Sequence, residues 1–175
     1  MSGQQVVLGL LEFFLTLVIG FFMVLATYKI LLKLTPRFDQ EKQLHRRNTA
    51  VGVVLGSIIV GEAVIVMQAI YPVMAVVQIY TLDSSKGLWD LLRTAGLVVG
   101  HILLAGLLAV LSILLSFRLF DKLTPGIDEY HEIREGNVAI AIFMALLIVA
   151  MSLIVSSGVA ALTRSLLPFP KAGSI

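Results

Sequence analysis

The stretch Lys33-Leu34-Thr35-Pro36, followed by Asp39, returns 89 residues later as Lys122-Leu123-Thr124-Pro125, followed by Asp128. Each copy lies between two long apolar stretches, and the same offset relates further polar residues in the two halves. A recurrence at one fixed offset is the signature of an internal repeat. The sequence therefore predicts a duplicated hairpin, in which each copy holds one span, a short polar turn and a second span.

The composition of the chain indicates a membrane protein. Hydrophobic residues make up 58% of the sequence and charged residues 14%, whereas a soluble domain carries about 25% charged residues. Each of four apolar stretches, near 6–28, 48–71, 94–117 and 137–161, is close to the roughly 20 residues that cross a bilayer as a helix. We therefore expect an all-α integral membrane protein with four transmembrane helices, arranged as a parallel tandem repeat of two helical hairpins.

The repeat also predicts where the chain divides. We expect a first two-span repeat at 1–80, an extracytoplasmic connector at 81–93 and a second two-span repeat at 94–175. The apolar character of the second span continues beyond Tyr71 as far as Tyr80. Because proline breaks or kinks a helix, we expect a kink at Pro72 and an interfacial continuation after it.

The basic residues predict the orientation in the membrane. Nine of the 13 Lys and Arg residues lie in or beside the two hairpin turns, and four lie in the connector and the C-terminal tail. Basic residues in short loops mark the cytoplasmic side of a membrane. We therefore expect a multi-pass protein with cytoplasmic turns and two extracytoplasmic termini.

Each turn carries a recognisable start signal for a short helix. Thr35 and Thr124 are suitable N-caps, the prolines that follow suit a first helical position, and an aspartate complements the helix dipole. An asparagine then stands where the next span enters the membrane. The repeat motif comprises Thr35, Pro36, Asp39 and Asn48 in the first copy and Thr124, Pro125, Asp128 and Asn137 in the second.

Two stretches of the second copy carry a family resemblance: Asp121-Lys122-Leu123-Thr124-Pro125-Gly126-Ile127-Asp128 and then Ile133-Arg134-Glu135-Gly136-Asn137-Val138-Ala139. They resemble the YjfL-like bacterial inner-membrane proteins. That family is built from two copies of a two-span unit with a Leu-Thr-Pro-Gly-x-Asp turn and an Asn-x-Ala at the next span. The first copy departs from it, with Arg37 in the glycine place and Arg47 before Asn48. The resemblance implies a four-span protein without an established reaction, some of whose relatives accompany envelope-stress proteins or polyamine-related enzymes.

Three ionisable residues, Glu12, Glu62 and His101, lie within the apolar stretches. Such residues are costly in a membrane and usually face a bundle interior, a cavity or a partner. Measured from the assumed outer ends of the spans, all three lie at a similar depth, and Glu12 and His101 are repeat equivalents. They are our candidate intramembrane site for a cation or a proton. The alternative is that Glu12 and His101 only pair with each other, or that Glu12 reaches the headgroups.

Glycines at a spacing of four predict close helix packing. Gly52 and Gly56 form such a pair on the second span, and Gly96 and Gly100 on the third. Small-residue faces let helix backbones approach, either within one chain or between copies. Because Glu62 has no counterpart in the second repeat, where Met151 occupies its place, we expect a homo-oligomer, most simply a dimer.

No nucleophile with a neighbouring base, paired metal-binding histidines or phosphate-binding glycine loop is present in the sequence. We therefore expect no enzymatic activity, no metal or other cofactor and no nucleic-acid partner, with membrane lipid as the surroundings. Two functions remain open. One is a small oligomeric channel or transporter for protons or small cations. The other is a membrane scaffold or signalling component for envelope stress that docks cytoplasmic proteins through its Thr-Pro turns.

Overall fold

The computed structural model describes residues 3–34, 39–82 and 87–166, and every secondary-structure element in these ranges is an α-helix. Four helices are long and two are short, and each short helix connects the long helices of one repeat. The helices are α1 (Gly3–Leu34), α2 (Gln40–His45), α3 (Thr49–Leu82), α4 (Leu88–Leu123), α5 (Glu129–Arg134) and α6 (Val138–Leu166). The two hairpins predicted from the repeat are therefore confirmed as α1–α3 and α4–α6.

The four long helices are each long and apolar enough to cross a membrane. They have between 29 and 36 residues, which at 1.5 Å per residue makes them about 43 to 54 Å long. The hydrocarbon core is only about 30 Å thick, so the helices extend beyond it. The predicted all-α membrane fold is confirmed, and the chain is a multi-pass membrane protein.

The second long helix differs from the prediction at its outer end. α3 continues without interruption through Pro72 to Leu82, so a span that ends at residue 71 is too short. A proline in a membrane helix is tolerated where neighbouring groups or small adjustments satisfy the carbonyl that it leaves free. Because α4 begins at Leu88, helix also occupies part of the stretch predicted as connector.

The predicted N-cap role of Thr124 is wrong. Thr124 ends α4, and its hydroxyl donates a 2.8 Å hydrogen bond to the carbonyl oxygen of Phe120. The chain then turns at Gly126, whose φ of +101° suits glycine, so Pro125 lies in the turn and not in a helix. Asp128 is the actual N-cap of α5 and accepts from the backbone N–H of His131 at 3.1 Å.

In the first repeat, Asp39 occupies the N-cap position of α2 but makes no side-chain capping bond there. Thr35 and Pro36, predicted as the N-cap and first residue of this helix, lie outside the described residues.

Helix α3 is the centre of the bundle. It packs against α1, α4 and α6, and its contact with α6 is the most extensive in the protein. Within the apolar spans, 56% of the α3 residues are buried, compared with 17% in α1. Since α1 packs only on α3 and α4 among the extensive helix contacts, it is the most loosely held of the four long helices.

The closest helix approach occurs at a glycine outside the predicted pairs. A Cβ atom on Gly61 would lie 3.3 Å from the Cβ of Ser152 and 3.4 Å from a methyl of Ile148, both on α6. The predicted glycines behave differently. No atom lies within 4 Å of a Cβ placed on Gly56, Gly96 or Gly100, and Gly52 meets only Leu44, at 3.9 Å. Their packing against another copy stays a prediction.

Candidate intramembrane site

Glu62 is the most deeply buried ionisable side chain among the described residues. It lies on α3 and has no solvent-accessible surface. Neither carboxylate oxygen has a hydrogen-bond partner in the described part of the chain. Because buried polar groups are nearly always paired, an unpaired carboxylate within a membrane span marks a functional candidate.

Two polar side chains that interact with Glu62 come from α1. Thr27 interacts with the carboxylate, and Tyr28 lies within its electrostatic range. The Thr27 hydroxyl, however, donates to the carbonyl oxygen of Met23 at 2.8 Å. A hydroxyl has one proton to donate, so Thr27 can serve the carboxylate only by leaving this backbone bond.

The depth of Glu62 follows from its neighbours. The methyl group of Thr27 would lie 3.4 Å from a Cβ on Gly106, so Glu62, Thr27 and Gly106 lie at one level. His101 is five residues earlier on α4, about 7 Å nearer the connector end of the bundle. Glu12 is fifteen residues before Thr27, about 22 Å along α1 in the same direction. The prediction that all three residues lie at a similar depth assumed that the second span ends at residue 71. Because α3 continues to Leu82, Glu62 lies deeper than predicted.

The structure thus does not gather the three predicted residues at one level. His101 is buried, with 5% of its surface exposed, and it has a contact of its own. No group of three His, Cys, Asp or Glu side chains that could hold a metal ion occurs in residues 3–34, 39–82 and 87–166 where side chains are described. The side chain of Glu12 lies outside that set, so its role stays a prediction.

Buried serines occur on α4 and α6, the two long helices other than α1 that pack on α3. Ser112 on α4 and Ser152 on α6 are fully buried, and neither hydroxyl has a partner among the described residues. Ser156 and Ser157 both donate to the carbonyl oxygen of Leu153 in their own helix. Ser152 lies against Gly61, the chain neighbour of Glu62, whereas Ser112 is six residues beyond Gly106 on α4, about 9 Å from the level of Glu62.

A cleft of about 650 Å³ runs between α1 and α4. Thr27 is its only polar lining side chain, and the others are apolar, among them Phe22, Ile30 and Leu107. Because Thr27 also interacts with Glu62, this residue separates the cleft from the buried carboxylate. A path from the cleft to Glu62 therefore passes Thr27.

The two asparagines of the repeat motif cap the membrane helices that follow them. The side-chain oxygen of Asn48 accepts from the N–H of Val51 at 3.2 Å, and that of Asn137 accepts from Ile140 at 3.3 Å. The prediction placed both residues correctly at the start of a span. It missed their partners, Gln43 and Glu132, which accept from the two asparagine amides at 3.1 Å and 2.7 Å.

Only the first asparagine reaches across the repeats. The Asn48 amide also donates to the carbonyl oxygens of Ile133 at 3.1 Å and Arg134 at 2.8 Å, at the end of α5. These bonds fasten the start of α3 to the turn of the second repeat. We name this end of the bundle, which carries α2 and α5, the turn end.

A second buried carboxyl lies at the turn end, outside the spans. Glu129 on α5 is 4% exposed, and its pKa is raised from 4.5 to about 7, first by burial and then by a hydrogen bond with the Asp121 carboxyl. Glu129 was not among the residues predicted to form a site. In the sequence, Glu129 differs from its repeat equivalent, Gln40, and this difference is the feature that could have drawn attention to it.

Comparison with known protein families finds one match, which covers both halves of the chain. The family described as Domain of Unknown Function (DUF350) matches twice, at residues 5–98 and 91–170. The chain belongs to the DUF350 family. The two matches agree with the duplicated hairpin of the fold. Comparison with curated proteins and with solved structures gives no match.

Within DUF350, this chain therefore presents two copies of one unit with unequal polar content. The first copy carries Glu62, where the second has Met151, and the second carries Glu129, where the first has Gln40. The intramembrane candidate and the carboxyl pair at the turn end are thus each held by one repeat alone.

Proposed function

We propose that the protein is a small oligomeric channel or transporter for protons or small cations, with Glu62 as its intramembrane carboxylate. The observation that carries the proposal is the complete burial of Glu62 without a hydrogen-bond partner among the described side chains. A structural carboxylate in a membrane is normally paired, whereas one that exchanges a proton or a cation needs an open coordination position.

The surroundings of Glu62 suit a small, weakly held ligand. Hydroxyl groups and one carboxylate are hard oxygen ligands, which match protons and small cations and not soft metals. The buried Ser152 hydroxyl has no partner among the described residues and lies against Gly61, the chain neighbour of Glu62. The cargo we propose is accordingly a proton or a small cation.

Helix α1 is the element that we propose to move. It is the least buried span, it flanks the apolar cleft through Thr27, and it supplies the hydroxyl beside Glu62. A displacement of α1 carries Thr27 away from Glu62 together with Met23, to which the Thr27 hydroxyl is bonded, and connects Glu62 with the cleft. Such motions of one loosely packed element give access to a buried site without unfolding the rest.

Flux through proteoliposomes tests the proposal. The purified protein is reconstituted with a pH-sensitive dye inside, and proton, sodium and potassium gradients are applied in turn under a set membrane potential. We expect flux from the unaltered protein and its loss in Glu62→Gln. The matched control is Glu129→Gln, which neutralises another buried carboxyl outside the spans and should leave flux intact.

The alternative function is a scaffold that docks cytoplasmic envelope-stress proteins at the turn end. The observation in its favour is the exposure of apolar side chains beside Pro125, with Leu123 54% and Ile127 39% exposed. The two functions separate in the same experiment. Absent flux in the unaltered protein, with lower thermal stability of Glu62→Gln, supports the scaffold, because a structural charge leaves a stranded partner when it is removed.

A further inference from the structure

Helices α3 and α6 are repeat equivalents, yet they meet through different faces. On α3 the contact is made by Gly61, and on α6 by Ile148 and Ser152. In the numbering of the first repeat, these α6 residues correspond to Ile59 and Ala63. A helix turns by about 100° per residue, so residue 61 lies on the side opposite to residues 59 and 63. The contact therefore joins two unlike surfaces of the repeat.

Because the two helices meet through different surfaces, the α6 surface equivalent to the Gly61 side of α3 packs against no other helix of this contact. The same holds for the α3 surface equivalent to the Ile148 and Ser152 side of α6. On α6 the counterpart of Gly61 is Ala150, which is exposed, and its helical neighbours Leu146 and Ile154 are 62% and 66% exposed. On α3, Ile59 is 45% exposed and Gly56 is exposed beside it. We call these surfaces the free α6 face (Leu146, Ala150 and Ile154) and the free α3 face (Gly56, Ile59 and Ala63). Each is the counterpart of a face buried within the chain.

At the turn end too, the first repeat makes a contact with the second that the second repeat does not return. The Asn48 amide of the first repeat donates to the end of α5 in the second, at Ile133 and Arg134. The repeat equivalents of these two acceptors are Leu44 and His45 at the end of α2. The Asn137 amide donates to Glu132 inside its own repeat, and α2 packs chiefly on α3. The end of α2 thus matches the acceptor that Asn137 would find in a following repeat.

We propose that copies of this protein associate head to tail, with the free α6 face of one copy packed on the free α3 face of the next. The new contact repeats the α3–α6 contact that already exists within each chain. A contact between unlike surfaces closes into a ring when the rotation per copy permits it. All copies share one orientation in the membrane, so the rotation runs about the membrane normal, and the smallest closed ring holds two copies and four repeats.

Lipid covers other exposed faces equally well, so exposure alone does not select the partner. Leu103 on α4 is 68% exposed, but no buried counterpart marks its face as an interface. On the free α3 face, no atom of another described side chain or helix lies within 4 Å of a Cβ placed on Gly56. Such a glycine lets a second helix approach the backbone. The assembly stands on these contacts and does not depend on the proposed transport.

Disulfide cross-linking tests the head-to-tail contact directly, since the chain has no native cysteine. Ala150→Cys and Ala63→Cys are made in two separately tagged copies and co-expressed. Within the chain the equivalent pair, Gly61 and Ser152, would place its Cβ atoms 3.3 Å apart, close to the 3.5–4.5 Å of disulfides. After oxidation in native membranes with copper phenanthroline, we expect a cross-linked product that contains both tags.

The controls separate the possible arrangements. Ala150→Cys alone should give no cross-link, because a head-to-tail contact never brings two copies of residue 150 together. A cross-link of that variant with itself would show that the α6 faces of two copies meet each other, and would overturn the proposal. Leu103→Cys in place of Ala150→Cys should also give none. No two-tag product from the Ala150→Cys and Ala63→Cys mixture would equally overturn it.

Mass measurement in lipid nanodiscs provides a second readout that needs no cysteine. We expect an oligomer from the unaltered protein, a shift to monomer for Ala150→Trp, and an unchanged oligomer for Leu103→Trp, which adds the same ring to another exposed face. A monomer from the unaltered protein, or an Ala150→Trp variant that assembles as before, contradicts the proposed interface.

Discussion

The side-chain amide of Asn48 donates a 2.8 Å hydrogen bond to the backbone carbonyl oxygen of Arg134, 86 residues further along the chain. This bond, with its companion to Ile133, joins the two repeats at the turn end. The repeat equivalent, Asn137, caps its helix in the same way but bonds only within its own repeat among the described hydrogen bonds. Both asparagines therefore cap a helix, but among the described hydrogen bonds Asn48 alone also joins the two repeats.

The joining role predicts unequal effects of two equivalent substitutions. Both Asn48→Ala and Asn137→Ala remove a helix cap, which costs about 1 kcal/mol. Asn48→Ala removes the bonds to Ile133 and Arg134 as well, so we expect it to lower the free energy of unfolding by roughly 1 kcal/mol more. Thermal unfolding in one detergent compares the two variants. Equal losses would show that the bonds between the repeats add nothing.

The raised pKa of Glu129, about 7, predicts a dependence of stability on pH. The folded state favours the protonated carboxyl, so its contribution is fully present below pH 4.5 and is lost as the pH rises through 7. We expect the melting temperature to fall between pH 5 and pH 8. Glu129→Gln should flatten this profile and raise the melting temperature at pH 8 by a few degrees, since Gln40 already occupies the equivalent place. Glu135→Gln, on an exposed residue, should leave the profile as it is.

A left-handed backbone conformation predicts a stabilising substitution. Arg47, with φ of 59°, and its repeat equivalent Gly136, with φ of 90°, both follow a short helix that ends at the turn end. Only glycine adopts this conformation without strain, so we expect Arg47→Gly to stabilise the protein by about 1 kcal/mol. Gly136→Ala should destabilise it by a similar amount. Chemical unfolding measures both, and an Arg47→Gly variant no more stable than the parent would contradict the prediction.

The close approach at Gly61 predicts a large effect of added volume. A valine there places methyl groups against Ser152 and Ile148, whose atoms already lie within 3.4 Å of the Cβ position. We expect Gly61→Val to cost about 1–3 kcal/mol, the range for an overpacked core. Gly96→Val adds the same volume where no atom lies within 4 Å. A Gly96→Val variant as unstable as Gly61→Val would show that helix propensity, and not packing, causes the loss.

The predicted orientation is tested by the accessibility of single cysteines. A membrane-impermeant maleimide applied to intact cells should label Gly87→Cys at the start of α4, because the connector end is predicted to be extracytoplasmic. It should not label Gln40→Cys or Glu135→Cys until the cells are opened. The reverse pattern would place the turn end outside and overturn the orientation.

The four helices could be predicted because their length and apolar character are local properties of the chain. Which faces meet could not be predicted, since helices that are apolar on all sides carry no amphipathic pattern. Glu62 and Ser152 show the difference. Glu62 could be identified as an ionisable residue inside a span, but nothing in either segment indicates that Ser152 lies against Gly61, beside Glu62. The bond from Asn48 to Arg134 likewise depends on how the repeats are placed relative to each other.

The central position of α3 has a consequence for biosynthesis. Chains are made from the N-terminus, so α3 enters the bilayer before α4 and α6 have been synthesised, and most of its buried surface then faces lipid. In an unfinished chain that stops at the connector, Ser152 of α6 no longer covers Gly61 next to Glu62, and a carboxylate that lipid can reach is disfavoured by a few kcal/mol. The first half therefore depends on the second for its completion. Two genes that each encoded one hairpin would have to be expressed together, and a stalled message would yield a substrate for membrane proteases.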